Sequence, residues 1–357
     1  MSVQIDPAKP VLVTGASGYV ASWIIRYLLE DGYVVRGTVR NPAKASGLEH
    51  LHALAEAHPG RLTLHKADLL DDGSYAEAMD GCELVIHTAS PFLLGRVRDP
   101  EAQLVRPALE GTRNVLDSVN ATPSVKRVVL TSSVVAIHGD NFEMRGRGPF
   151  TEDDWNTTSS VDHQPYPYSK TVAERAAWEL ADAQDRWDLV TIHPGLVIGP
   201  ALTTASKSGS MTTMKTFTDY SLLTGAPDLA LGFVDVRDVA RAHIAAGFTP
   251  AAHGRYITNA RTVTMLDMGR MLRRRFGPSY PFPYTKLPKQ MFRLVAPFAG
   301  YTREFVDKNV GWPLEFDNSR SISELGLEYR APEDTLAEHF QQMIDDGLVH
   351  RPWGRER

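Results

Sequence analysis

A doubly wound parallel α/β sheet with a smaller C-terminal lobe is the fold this sequence predicts, on three observations. Apolar, β-branched runs recur at 11–13, 34–39, 62–64, 84–86, 128–130 and 189–192, separated by segments able to form helices. Hydrophobicity within these runs is continuous rather than alternating, as strands covered on both faces require. The first run breaks into Thr-Gly-Ala-Ser-Gly-Tyr-Val at 14–20 and re-emerges as helical periodicity through Val20, Ile24 and Leu28, with Gly32 at its end.

The glycine turn has the shape that a dinucleotide pyrophosphate needs. Gly15 permits a turn in which a Cβ would clash, and Gly18 lets phosphate approach backbone N–H groups at the positive end of the following helix. Ser17, Tyr19 and Val20 complete this expected cradle. The spacing is Gly-x-x-Gly-x-x-Ala, one residue longer than Gly-x-Gly-x-x-Gly, and Ala21 is still small enough for helix to pack on strand. The architecture expected is therefore of the Rossmann type.

With 357 residues, the chain has room for one large domain and a lobe. We read 8–199 as the dinucleotide-binding domain and 200–350 mainly as a substrate lobe, with part of 232–260 packing back on the sheet. Within the lobe, 201–225 is rich in Ser, Thr and Gly, and 276–301 in Pro and aromatics. Both read as loops over a cleft, with Phe217, Tyr220 and Phe282 as candidates to recognise substrate. Asp235 is placed to cap a helix over 236–246.

Composition narrows the function. Apolar residues at 43% and charged residues at 23% describe a folded globular protein rather than a fibre or a disordered chain. A net charge of −5 gives no electrostatic case for nucleic acid. The single cysteine, Cys82, excludes an intramolecular disulfide and Cys-pair metal sites. The first ten residues are polar and no apolar run reaches membrane length. The expectation is a cytoplasmic protein, off the membrane, monomeric or homodimeric, acting on a small molecule without a metal.

At the end of the second run, where an NAD site carries a carboxylate for the ribose, this chain has Thr-Val-Arg-Asn-Pro-Ala-Lys at 38–44. Arg40 and Lys44 suit a 2′-phosphate and favour NADP. Asp68 follows the third run, placed either to accept from the adenine amine or to cap a helix. Thr88, Ala89 and Ser90 close the fourth with small residues, letting backbone pass near the cofactor.

Thr131, Ser132 and Ser133 end the fifth run, and Tyr166 and Lys170 stand four apart on a helical stretch marked by Ala173, Ala176, Ala177 and Leu180. Reduction of a carbonyl leaves an alkoxide that needs a proton. A phenol with an ordinary pKa of about 10 needs help from a neighbouring cation to act as both donor and acceptor. Lys170 is expected to lower the Tyr166 pKa while bonding the nicotinamide ribose, and Ser133 to hold the carbonyl oxygen. Tyr168, two residues from Lys170, faces elsewhere.

Here the chain resembles the extended short-chain dehydrogenase/reductases of the NAD-dependent epimerase/dehydratase superfamily. Within them it is similar to the group of dihydroflavonol reductases, cinnamoyl-CoA reductases and yeast methylglyoxal and ketone reductases. The resemblance covers nearly the whole length. It rests on Val-Thr-Gly-Ala-Ser-Gly-Tyr-Val at 13–20, Thr-Val-Arg at 38–40, Lys-Ala-Asp-Leu at 66–69, His-Thr-Ala-Ser-Pro-Phe at 87–92 and Glu-Gly-Thr at 110–112. Further on come Val-Val-Leu-Thr-Ser-Ser at 128–133, Tyr166 with Lys170, Ala-Glu-x-Ala-Ala-Trp at 173–178, His-Pro-Gly-Leu-Val-Ile-Gly-Pro at 193–200 and Phe-Val-Asp-Val-Arg-Asp-Val-Ala at 233–240. The likeness implies catalytic roles for Ser133, Tyr166 and Lys170, and NADP(H) as cofactor. It implies the 2′-phosphate for Arg40 and Lys44, the adenine for Asp68 and Leu69, and the nicotinamide side for Pro194 and Val197.

Two departures bear on substrate. The Asn-Trp-Tyr-Cys-Tyr motif of cinnamoyl-CoA reductases is Gln-Pro-Tyr-Pro-Tyr at 164–168, which argues against thioester reduction, and His138 stands where flavonoid reductases carry a substrate-binding Asn. The reading is an NADPH-dependent reductase of ketones or aldehydes. A nucleotide-sugar epimerase or dehydratase holding NAD, and a dinucleotide-sensing regulator without chemistry, are its rivals. If 201–225 and 276–301 are mere connections, the pocket is expected around Phe92 and His138. His50, His52 and His58 lack metal-binding spacing, His87 and His193 read as packed strand-end residues, and Asn114 as packing its helix on the sheet. The charged tail at 350–357 reads as a frayed end.

Overall fold

The computed structural model describes residues 2–44, 46–90, 98–204 and 208–349. The first half alternates strand and helix: β1 (Val11–Thr14), α1 (Tyr19–Glu30), β2 (Val35–Val39), α2 (Glu49–Ala57), β3 (Leu62–Lys66), α3 (Ala76–Met79) and β4 (Leu84–His87). It continues through α4 (Arg106–Ala121), β5 (Arg127–Thr131), α5 (Pro165–Asp182) and β6 (Asp188–Pro194). Every apolar run expected to be a strand is one. The later chain contributes β7 (Leu196–Ile198), α6 (Gly209–Lys215), β8 (Ala226–Pro227), β9 (Ala230–Asp235), α7 (Val236–Phe248) and β10 (Gly254–Thr258). It ends with β11 (Arg261–Thr264), α8 (Met265–Phe276), β12 (Lys286–Leu287), α9 (Lys289–Val295), α10 (Arg303–Asn309), α11 (Ser319–Leu325) and α12 (Pro332–Asp345).

Seven strands pair in parallel in the order β10-β6-β5-β4-β1-β2-β3. The order reverses at β1, so the crevice beyond the C-terminal ends of β1 and β4 is where such a sheet receives ligand. One face is covered by α1 and α7, through Ile24, Ile25, Leu28, Val236 and Ala240. The other is covered by α4 and α5, through Val115, Leu116, Val119 and Ala177. Burial on both faces accounts for the continuous hydrophobicity of β1, β4 and β5. The edge strand β3 departs from that expectation: only Leu62 is buried, because its outer edge has no neighbour to cover it.

Asp235 caps α7 as expected, its carboxylate accepting from the Arg237 backbone N–H at 2.7 Å. A second apolar core gathers β9, β11, α6, α8 and α12. Phe217 and Phe282 lie inside it, each 0% exposed. The stretches 201–225 and 276–301 are therefore not plain loops: the first holds α6, and the second holds β12, α9 and a 3₁₀ turn at Ala296–Ala299. Pro91 and Phe92 of the strand-four motif and the tail 350–357 lie outside the described residues.

Candidate active site

Thr14 ends β1 beside His87 of β4, and Thr14 Oγ1 accepts from the backbone N–H groups of Thr88 and Ala89 at 3.2 and 3.1 Å. These bonds press Ala89 onto the glycine turn. Gly15 has φ +66°, and a Cβ built there would stand 3.0 Å from Ala89 Cα, so no other residue fits without movement. Helix α1 begins at Gly18, which has no side chain to cap it. Its first-turn amides are thereby left for an outside acceptor, the condition under which a helix N-terminus binds an anion.

The turn opens on a cleft of about 1710 Å³, larger than the several hundred Å³ that one small ligand fills. Gly15, Ser17, Gly18, Tyr19, Val20, Arg40, Asp68, Leu69, Thr88, Ala89, Ser90, Thr131, Ser133, Tyr166, Lys170, Pro194 and Val197 all line it. Of the residues expected to hold the cofactor or carry the chemistry, Lys44 alone does not. It sits exposed on a turn closed by its own N–H to Asn41 O. Arg40 is exposed at the cleft with no hydrogen bond or ion pair among the described residues, so its guanidinium is open to a ligand. Tyr168 does not line the cleft.

Asp68 makes a local turn, accepting from Leu70 N–H at 3.0 Å, while its carboxylate borders the cleft. Leu69 packs on α4 at Gly111, where a Cβ would stand 3.0 Å from Leu69 Cβ. Asn114, expected to pack α4 on the sheet, instead fastens this loop: its amide donates to Leu69 O and Asp71 O and accepts from Gly73 N–H. A side-chain amide satisfies three backbone groups there that no strand could reach.

Ser133 caps the 3₁₀ turn Val134–Ala136, but its hydroxyl is loosely held, 3.4 Å from both Val135 N and Pro194 O. Bonds that long leave it free to reorient toward a substrate. Lys170 Nζ donates to Ser90 Oγ at 3.3 Å and Thr131 O at 3.4 Å. Burial pushes this ammonium down to about 8, with the Glu174 carboxylate working the other way. Burial also pushes the Tyr166 phenol up to about 12. The expectation that Lys170 depresses that phenol is thus not met: loss of water around the hydroxyl sets the direction.

Two polar residues around the site, His243 and Glu174, were given no role by the sequence reading. Thr131 Oγ1 bonds His243 Nε2 at 2.7 Å, and the other ring nitrogen donates to Val239 O at 2.8 Å. His193, expected to be packed and hydrogen-bonded, donates to Glu174 at 2.8 Å. His87 likewise lies 2.8 Å from Thr14 Oγ1. His50 bonds Ser22 Oγ at 2.9 Å. The signal for Glu174 was its place on α5, four residues past Lys170 as Lys170 is four past Tyr166.

The substrate end departs from expectation in its residues. Phe217 and Phe282 are core, and Tyr220 is exposed with no share in the lining. The apolar side of α6 turns Met211 and Met214 inward, leaving Ser210, Thr212 and Thr213 at the cleft. Leu222, Phe292, Val295 and Tyr301 line the remainder, with His138 buried between the rings of Phe150 and Phe316. Among the described lining residues the charged ones are Arg40, Asp68 and Lys170, all at the sheet.

The chain is 41% identical to cinnamoyl-CoA reductase CAD2 of Medicago truncatula over 339 residues, 93% of this chain and 95% of the relative. It is 32% identical to dihydroflavonol 4-reductase of Arabidopsis thaliana over 96% of this chain and 83% of that protein. Among solved structures, Gre2 of Candida albicans in complex with NADPH superposes with a TM-score of 0.76 at 28% identity, covering 94% of this chain and 98% of that one. The profile of the NAD dependent epimerase/dehydratase family matches residues 11–257, and the chain belongs to that family.

Proposed function

We propose that this protein is an NADP(H)-dependent oxidoreductase that reduces an uncharged ketone or aldehyde to the alcohol, reversibly, with Ser133, Tyr166 and Lys170 as its catalytic residues. The observation that carries the reading is their convergence, from the end of β5 and the first turns of α5, on the cleft that starts at the uncapped glycine turn. The residues present fit the cofactor: free amides at α1 for the pyrophosphate, Arg40 for the 2′-phosphate, and Lys170 for a ribose hydroxyl. The NADPH complexes of Gre2 support the same cofactor.

When bound, NADPH supplies a hydride for the carbonyl carbon. The protein's part is the oxygen. Ser133 donates a hydrogen bond to it, and Tyr166 gives it a proton. A phenol held near 12 stays protonated throughout the neutral range, yet it remains a stronger acid than the alcohol that an alkoxide becomes. Lys170, charged below about 8, stabilises the phenolate left behind.

We place substrate choice in the segments beyond residue 200. Their share of the cleft is hydroxyl and apolar, with no charge among the described residues. That supports an uncharged carbonyl compound over a CoA thioester, whose phosphates want cations, and it agrees with Gln-Pro-Tyr-Pro-Tyr at 164–168. The test is NADPH oxidation with aromatic ketones, keto esters, dicarbonyls, aldehydes and a cinnamoyl-CoA thioester. Turnover of a neutral carbonyl compound is expected. Turnover of the thioester alone would overturn the substrate class, and NAD retained by the denatured protein with no reductase activity would favour an epimerase or dehydratase.

A further inference from the structure

Glu174 lies on α5 one turn beyond Lys170 and two beyond Tyr166, on the same face. It is 1% exposed and takes no part in lining the cleft. Its carboxylate accepts from Ser132 Oγ at 2.5 Å, His193 Nε2 at 2.8 Å, Arg255 Nε at 2.8 Å and Trp178 Nε1 at 3.3 Å. These donors come from the end of β5, from β6, from β10 and from α5 itself. Ser132 adjoins Ser133, so one carboxylate holds the side chain next to the proposed catalytic hydroxyl and lies one helical turn from the proposed catalytic ammonium.

A buried carboxylate is a poor choice for a strap, because an apolar replacement of similar shape is often as stable. The charge itself then needs a reason, and the nearby cation supplies one. We propose that Glu174 is a positioning residue for the reaction, holding the Ser132–Ser133 strand end in place and supplying the negative charge that keeps Lys170 protonated in a dry site. This rests on the roles proposed above for Ser133 and Lys170.

The ionisable groups facing this pair are Arg255 from β10, His193 from β6, His87 from β4, His243 from α7 through Thr131, and Tyr166 on α5. Burial alone would raise the Glu174 carboxyl, but His193 and Arg255 hold it well below the usual carboxylate range. The three histidines are pushed down by burial and are neutral at neutral pH. The helix α4 and the Glu101–Val105 turn also pack on α5. None of their ionisable side chains is hydrogen-bonded or ion-paired to Lys170 or Glu174 among the described residues. Arg255 and Lys170 are therefore the cations that Glu174 serves, and changing either member of the Glu174–Arg255 pair must move Lys170 in opposite senses.

The test titrates Lys170 directly, by trace acylation of the protein's amines across pH with the Lys170 peptide read by mass spectrometry, alongside the pH profile of kcat/KM. Glu174→Gln removes the anion and should move the Lys170 titration and the alkaline limb of the profile down by about one pH unit. Arg255→Met frees the anion from its other cation and should move both up. Shifts in the same direction, or none, would overturn the proposal, since a merely structural loss lowers activity without a sign. If Glu174→Gln fails to fold, the double variant Glu174→Gln/Arg255→Met takes its place. The two effects should then offset, whereas a shift equal to that of Arg255→Met alone would leave Glu174 no share. Variants that show the expected labelling shifts, with a wild-type protein that reduces no carbonyl, would sink the functional reading and leave this electrostatic pairing standing.

Discussion

Gly15, at the end of β1, and Ala89, just past β4, meet across the mouth of the cleft with no room for a side chain on the glycine: a Cβ there would stand 3.0 Å from Ala89 Cα. The contact fixes how closely the two strand ends approach and leaves the first turn of α1 open between them. Gly15→Ala is expected to cost about 1–2 kcal/mol from the left-handed backbone alone, with a further penalty as Ala89 is displaced. Thermal unfolding should show the loss, and titration of NADPH fluorescence should show weaker binding. Unchanged affinity would mean that the pyrophosphate is not held at this turn.

Arg40 lines the cleft and Lys44 does not, so the two basic residues at the end of β2 should part company on mutation. Removing a charge-assisted bond to phosphate costs about 1.5–3 kcal/mol, so Arg40→Ala should raise the KM for NADPH about ten- to a hundredfold with little change for NADH. Lys44→Ala removes an exposed charge, worth about 1 kcal/mol or less, and should alter NADPH affinity less than about fivefold. Equal losses with both cofactors in Arg40→Ala would remove the 2′-phosphate from this strand end.

Tyr166 borders the cleft and Tyr168 does not, although only Pro167 separates them. Tyr166→Phe keeps the ring and removes the proton, so kcat should fall by about two to four orders of magnitude while NADPH still binds. Tyr168→Phe should remain near wild type. A crippled Tyr168→Phe with an active Tyr166→Phe would reverse the assignment.

The sheet and the proposed catalytic residues were legible for a shared reason: each is written in a local pattern. The strands of the first half carry unbroken β-branched runs, and the order of glycine turn, strand-end serine and Tyr-x-x-x-Lys helix follows the βαβ path that brings them together. β10 was not read as a separate strand, because Gly-Arg-Tyr-Ile-Thr carries a charge at its second position, Arg255, which Glu174, the carbonyls of Glu152 and Asp154 and the Trp155 ring together make tolerable. The Glu174 cluster was illegible in the same way, drawing its donors from strands far apart in sequence. In 201–225 and 276–301 the composition marked stretches that share in the cleft lining, but the aromatic residues singled out in them, Phe217, Tyr220 and Phe282, do not line it. Aromatics in a polar stretch are the side chains with most to gain from burial, so Phe217 and Phe282 went to the core.

That reversal gives the last prediction its contrast. Thr213 on α6 and Tyr301 beside α9 line the cleft beyond the proposed catalytic residues, where nothing charged among the described residues competes for the substrate. Tyr301 stacks on Phe305, also in the lining, at 4.9 Å between ring centroids. Thr213→Val removes a hydroxyl facing the cleft and Tyr301→Ala removes an aromatic wall. Each should reorder the relative kcat/KM values of a carbonyl panel while the KM for NADPH stays within about threefold, a shift worth less than about 1 kcal/mol. Phe217→Ala and Phe282→Ala hollow a packed core and should instead cost about 3–5 kcal/mol of stability, read by denaturant unfolding. In molecules that remain folded, the substrate ranking should be kept. A ranking that follows Phe217 or Phe282 but ignores Thr213 and Tyr301 would move the substrate pocket out of this cleft.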